Sequence, residues 1–324
     1  MDAALLKQLQ TAPRRGAAGS APSPAPLEHP SNAPFKERYE KAYVVASKRK
    51  RWAAQEHAEE VSENDRIQDP MAARIELGQT RDDIGTGTWT GGLVLARLLE
   101  ALCDEPLPGI SGRLEDLCTG VDVEPGPSTG PVSPAVAAKP FITDAARALP
   151  VVELGSGTGV GGLGAALFAG FLDVTLTDRP GPVLENLERN IERNVAKFRE
   201  RGLYTCDRIA AAALDWLDVE SIPPCGVLLG AELVYEQDSV EPLLSVVDAF
   251  LLGARRGAGG AASPVFIFAN STCGRPGYRF FMKRVLEDPR YEVHAVEAGD
   301  VQRMASPAFT EGIDVLVIRA RNAA

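Results

Sequence analysis

Val151-Val152-Glu153-Leu154-Gly155-Ser156-Gly157-Thr158-Gly159 is the stretch that decides the fold. An apolar run with one acidic residue breaks into alternating glycines, then re-enters an Ala/Leu/Gly-rich helical pattern through Phe171. That order is the pattern of a first strand, a tight turn and a helix N-terminus in an open α/β sheet. The turn of such a sheet is where nucleotide-like cofactors bind. Glycines at 155, 157 and 159 let the backbone take conformations that a β-carbon forbids, and let a ligand lie directly on it.

Downstream of this unit the alternation is regular. After 151–154, strands are expected at 173–177, 208–214, 226–231, 264–269, 291–297 and 313–319. Helical segments lie between most of them. The clearest spans 182–201, where Leu184, Leu187, Ile191, Val195 and Phe198 form one apolar stripe at spacings of three and four. Glu185, Glu188, Arg189, Glu192 and Arg193 give it a solvated opposite face. Pro180 and Pro182 suit its start and Gly202 its end. Segments 240–252 and 278–286 read as two more helices. This alternation predicts an α/β fold: a doubly wound, mostly parallel, seven-stranded Rossmann-like sheet with helices on both faces.

Upstream, residues 1–34 are expected to form a disordered Ala/Pro-rich tail, because 11–34 are dominated by Ala, Pro, Gly and Ser. Residues 35–83 read as a helical N-terminal extension, with its charged helical part at 35–62 around Tyr39, Tyr43, Val44 and Trp52. The core domain is placed at 84–324, with a low-complexity insert at 120–140 ahead of the first core strand.

Composition narrows the function. The 324 residues are 45% hydrophobic, enough for a sizeable core, and the net charge of −10 argues against a general nucleic-acid binder. Lys48-Arg49-Lys50-Arg51 is a local exception, read as a solvated helix face, with a partner contact or nuclear signal as the other reading. Five scattered cysteines (Cys103, Cys118, Cys206, Cys225 and Cys273) form no metal-ligand pair and fit free thiols in a reducing compartment. With His29, His57 and His294 as the only histidines, no metal site is expected. No apolar run approaches the roughly 20 residues of a membrane helix, and no secretory h-region opens the chain. A cytoplasmic monomer is expected. A nuclear location and an Ala/Arg-rich organelle transit peptide stay open.

The glycine run alone is ambiguous, since Gly157-x-Gly159-x-x-Gly162 also fits the dinucleotide pattern. Glu153 separates the readings. A pyrophosphate turn gains nothing from a carboxylate beside a dianion, whereas the sulfonium and ammonium of S-adenosylmethionine are complementary to one. Asp178, ending the next strand, can accept both ribose hydroxyls of an adenosine, which NAD would use equally. Glu232 and Tyr235, in Gly230-Ala231-Glu232-Leu233-Val234-Tyr235, leave the fourth strand at the carboxyl edge where ligands bind.

Taken with Thr86-Gly87-Thr88-Trp89 and Leu214-Asp215-Trp216, these motifs resemble the seven-β-strand (class I) S-adenosylmethionine-dependent methyltransferases. More narrowly they resemble the lysine methyltransferase branch, methyltransferase family 16. The likeness covers residues 84–319. It implies that Trp89 closes over the cofactor and that Gly155, Ser156 and Gly157 support its methionine part with Glu153 beneath. It further implies that Asp178 holds the ribose, Trp216 flanks adenine, Asp215 reaches the adenine amino group and Ala231 is the small residue after the fourth strand. Glu232 and Tyr235 match the family's acidic-x-x-aromatic motif and are expected to be catalytic. The acidic position is more often Asp, and the extra methylene of Glu232 is expected to shift its carboxylate outward. The implied activity is protein-lysine N-methylation, with a lysine side chain of a protein as substrate. A small-molecule methyltransferase shares the same cofactor half. An NAD-dependent oxidoreductase and an inactive cofactor-binding scaffold are the readings from other classes. A DNA amino-methyltransferase would carry Asn/Asp-Pro-Pro-aromatic where this chain has Ala231-Glu232-Leu233-Val234.

Overall fold

A computed structural model describes the backbone of 43–46 and residues 74–79, 85, 87–110, 112–118, 140–218, 223–253, 264–305 and 312–321. The elements run β1 (Tyr43–Ala46), β2 (Arg74–Leu77), α1 (Thr90–Ala101), α2 (Leu114–Cys118), α3 (Asp144–Arg147), β3 (Val151–Leu154) and α4 (Val160–Gly164). Helix α4 continues as a π turn at Ala165–Ala169. Then come β4 (Asp173–Asp178), α5 (Pro182–Glu200), β5 (Arg208–Ala213), β6 (Val227–Ala231), a 3₁₀ turn (Gln237–Ser239) and α6 (Val240–Leu251). The last are β7 (Val265–Ser271), α7 (Pro276–Glu287), β8 (Tyr291–Ala295), α8 (Ala298–Ala305) and β9 (Ile313–Ala320).

Seven strands form one sheet in the order β5-β4-β3-β6-β7-β9-β8. Strand β3 pairs in parallel with both β4 and β6, and only β9 runs antiparallel to its neighbours. All seven core strands stand where the sequence predicts them. The central strands are nearly continuous in apolar residues because both sheet faces are covered. Their side chains alternate between two cores. Val151, Val227, Leu229, Val265 and Ile267 enter one, and Val152, Leu154, Leu228, Phe266 and Phe268 enter the other. The chain leaves β3 toward β4 on one side and reaches β6 on the other. That reversal opens a crevice at the strands' carboxyl ends.

Two short strands correct the expectation of a helical extension. Tyr43–Ala46 is a strand, paired antiparallel with Arg74–Leu77. Tyr-Val-Val-Ala is aromatic and β-branched, which favours the extended backbone. In β2, Ile75 and Leu77 are buried while Arg74 and Glu76 are only half-buried. The rest of 35–62, the tail at 1–34 and most of the insert at 120–140 lie outside the described residues.

Helix α5 does more than its apolar stripe foretells. Asn186, Asn190 and Asn194, four residues apart, are buried, and they bond the backbone of β2 and the residue after it. Asn194 Oδ1 accepts from Glu76 N at 2.7 Å and its Nδ2 donates to Glu76 O at 2.8 Å. Asn190 accepts from Gly78 N at 2.7 Å and donates to Thr158 O at 3.0 Å. The helix thus takes the place of a second strand partner and ties β2 to the glycine turn. Asn190→Ala leaves the Gly78 N–H and the Thr158 carbonyl without that partner, and should cost about 2 kcal/mol, read as a lower urea midpoint at unchanged slope.

Candidate active site

The glycine turn is built on left-handed backbone. Gly155, Gly157 and Gly159 have φ of 55°, 57° and 85°. Strand β4 fixes the turn from the side. Ser156 N donates to Thr177 O at 2.8 Å and Gly157 N donates to Asp178 Oδ2 at 2.8 Å. The second Asp178 oxygen accepts from Arg179 N at 2.8 Å. Asp178 therefore organises the turn while its carboxylate stays at the crevice edge.

Glu153 lies beneath this turn and is 2% exposed. Its carboxylate packs against the first turn of α4. A β-carbon on Gly161 would stand 2.2 Å from Oε1, so only glycine leaves it room. Among the described residues, Oε2 has no hydrogen-bond partner. Burial pushes the carboxyl up to about 7, against the opposing pull of Ser156 and the Gly162 N–H.

A cavity of about 440 Å³ occupies the crevice, within the size range of small-molecule sites. Every residue the sequence singles out lines it: Trp89, Glu153, Gly155, Ser156, Gly157, Asp178, Asp215, Trp216, Ala231, Glu232 and Tyr235. Trp216 is half-buried against the second core, and its ring edge lies 3.4 Å from where a Gly155 β-carbon would be. Asp215 is exposed, and its Oδ1 accepts from Leu217 N at 3.0 Å. Four carboxylates (Glu153, Asp178, Asp215 and Glu232) face one arginine, Arg179, around the wall.

The expectation for the Glu232 carboxylate is overturned. It is drawn inward, not outward, and the residue is 3% exposed. Oε1 accepts from Gly91 N at 3.1 Å and from Ser271 Oγ at 2.6 Å. Oε2 accepts from Ser271 N at 3.3 Å and lies 3.5 Å from the Arg275 guanidinium. The extra methylene lets the carboxylate reach the N-terminus of α1, where free N–H groups and the helix dipole favour an anion. Glu232 is also the one non-glycine residue with positive φ (56°) among the described residues. Such strain persists only where surroundings hold it. Here Ala269 O accepts from Glu232 N at 2.9 Å, and buried Asn270 accepts from Val234 N at 3.2 Å. Tyr235 is half-buried. Burial, then the Asp178 charge, raises its phenol above the usual range, so it stays protonated near neutral pH.

Sequence reasoning missed Gly91, Asn270, Ser271 and Arg275. None belongs to a periodic or spaced pattern.

An open α/β sheet with a reversed last strand and an acid-lined cavity at its switch point defines a nucleotide-type cofactor binder. A family model described as lysine methyltransferase matches residues 71–254, and the chain belongs to that family. It is 34% identical over 101 residues to protein N-lysine methyltransferase METTL21A of Danio rerio, covering 30% of this chain and 42% of that protein. It is 33% identical over 142 residues to EEF1A lysine methyltransferase 3 of Mus musculus, covering 43% and 53%. The chain thus matches about half the length of these curated relatives. Among solved structures, an O-methyltransferase from Bacillus cereus in complex with SAH is similar at a TM-score of 0.36, with 16% identity over 54% of this chain and 75% of that one.

Proposed function

We propose that this chain uses S-adenosylmethionine to methylate the lysine side chain of a protein. The observation that carries the reading is a single cavity in which an acid-lined glycine turn and the Glu232–Tyr235 pair share one wall. The residues fit the cofactor. Glu153 Oε2 is a buried oxygen beneath the turn with no hydrogen-bond partner among the described residues, complementary to a cationic ligand. The turn backbone is bare of side chains, Asp178 stands at the strand end for the ribose, and Trp216 offers a flat face for adenine. A pyrophosphate would meet these carboxylates as a like charge.

The cofactor would supply an already activated methyl group, so the protein's work is alignment. Trp89 and Tyr235 flank the approach, and Glu232 holds an anionic point at the floor. A lysine amine has an ordinary pKa of roughly 10.4, and an apolar channel favours its neutral, nucleophilic form. Because Glu232 already accepts four contacts, its role in this reading is to orient the amine. Calorimetric titration with S-adenosylmethionine and with NAD⁺ tests the class. Micromolar binding of the first alone is expected, and NAD⁺ binding would overturn the reading. Tyr235→Phe keeps the ring and is expected to retain labelling of cell-extract protein within about tenfold. Glu232→Gln removes the anion and should lower it by about a hundredfold, on the scale of a lost charge-assisted contact. Equal activity of both variants with the wild type would remove these residues from the acceptor site.

A further inference from the structure

Arg275, at the start of α7, is a cation placed among the groups assigned above to the acceptor. Its guanidinium carbon lies 5.4 Å from the Trp89 ring centroid and 5.2 Å from that of Tyr235. One of its nitrogens lies 3.5 Å from Glu232 Oε2. The side chain is 18% exposed. Two aromatic faces and a carboxylate around one positive charge is the arrangement that recognises an ammonium group. All three partners line the cavity.

We propose that Arg275 is a built-in pseudosubstrate: it holds the acceptor subsite that the substrate lysine must take over. The inference rests on the methyltransferase reading above. Arginine suits this part because it stays protonated at any working pH and offers no free lone pair to a methyl donor. It can fill the subsite without being consumed. The substrate amine then exchanges one cation for another over the same rings, and Glu232 keeps a counter-charge throughout. This selects an acceptor long and cationic enough to displace a guanidinium, which a lysine is and a short polar side chain is not.

The geometry supplies a direct test. The guanidinium carbon of arginine and the amine nitrogen of lysine are both five bonds from the α-carbon. Arg275→Lys therefore brings an amine to the place the guanidinium now holds. When that amine is neutral, its lone pair forms the N–C bond as the methyl C–S bond breaks. The bonding pair stays on sulfur, giving S-adenosylhomocysteine, and a proton leaves the nitrogen to solvent.

The full-length variant, incubated with methyl-labelled S-adenosylmethionine and no other acceptor, should gain the labelled methyl at position 275, a mass increase of about 14 per methyl group plus that of the isotopic label. The gain should be first-order in enzyme, since the reaction is within one chain. Wild type and Arg275→Ala should show no label there. Cofactor binding by calorimetry and the thermal midpoint are measured alongside. A folded variant that binds the cofactor as the wild type does, yet gains no label at 275, overturns the pseudosubstrate. Failure of the wild type itself to bind S-adenosylmethionine overturns the underlying methyltransferase reading, and this inference with it.

Discussion

Asp178→Ala is expected to weaken S-adenosylmethionine binding about a thousandfold while the fold survives. In the proposed complex the carboxylate accepts two ribose hydroxyls. Hydrogen bonds to a charged group contribute about 1.5–3 kcal/mol each, so losing two costs about 4 kcal/mol, or three decades of affinity. The substitution also removes the acceptor for the Gly157 N–H, which loosens the left-handed turn under the ligand. Asp178 is half-buried at the end of β4, outside both apolar cores, so the unfolding midpoint should fall only slightly. Asp178→Asn keeps an oxygen for Gly157 and should lose less. Titration calorimetry on the three proteins reads this directly. An affinity within threefold of wild type for Asp178→Ala would place the adenosine elsewhere.

Glu153→Gln is expected to stabilise the ligand-free protein above pH 7 and to remove a proton release on cofactor binding. The sign follows from the raised carboxyl. Below its unfolded value of 4.5, Glu153 is protonated in both states and adds no difference. As pH rises toward about 7, the unfolded chain sheds the proton and the folded chain keeps it, so stability falls through that window and levels off above it. A displacement of this size corresponds to about 3 kcal/mol. The glutamine variant lacks the titration. Its urea stability should therefore exceed that of wild type at pH 8 and converge with it only below pH 4.5. A gap independent of pH would show that Glu153 does not titrate in that window. A sulfonium or ammonium arriving above a half-protonated acid favours the carboxylate, so wild type should release protons on binding near pH 7. The binding enthalpy should then depend on the ionisation enthalpy of the buffer, and in Glu153→Gln it should not. A buried acid poised near neutrality trades stability of the empty protein for attraction to a cation.

Much of the molecule is legible in the chain because its signals are local. The apolar alternation of 151–154, 173–177 and 226–231 specifies strands, since each side chain needs a face to bury. The glycines at 155, 157 and 159 specify a turn, since only they adopt its backbone cheaply. The cavity wall from Glu153 to Tyr235 is legible for the same reason, because strand ends in a parallel sheet converge on one edge. The reading of 43–46 as helix failed because its charged flanks outweighed three β-prone residues, Tyr43, Val44 and Val45. Their partner, Arg74–Leu77, lies some thirty residues on, and pairing at that distance leaves no periodic trace.

The sequence by itself determined the sheet, the position of its switch point and the acidic character of the crevice. Those depend on residue type and on spacing along one element. Only the tertiary structure decided the electrostatics of the acceptor end. Glu232 turns inward because Gly91 of α1 and Ser271 of β7 both reach it, and these residues are 141 and 39 positions away. Arg275 finds Trp89, Tyr235 and Glu232 through the same convergence of three separate segments. The charge state, orientation and occupant of a buried site are set by neighbours in space, and a linear pattern carries no record of them.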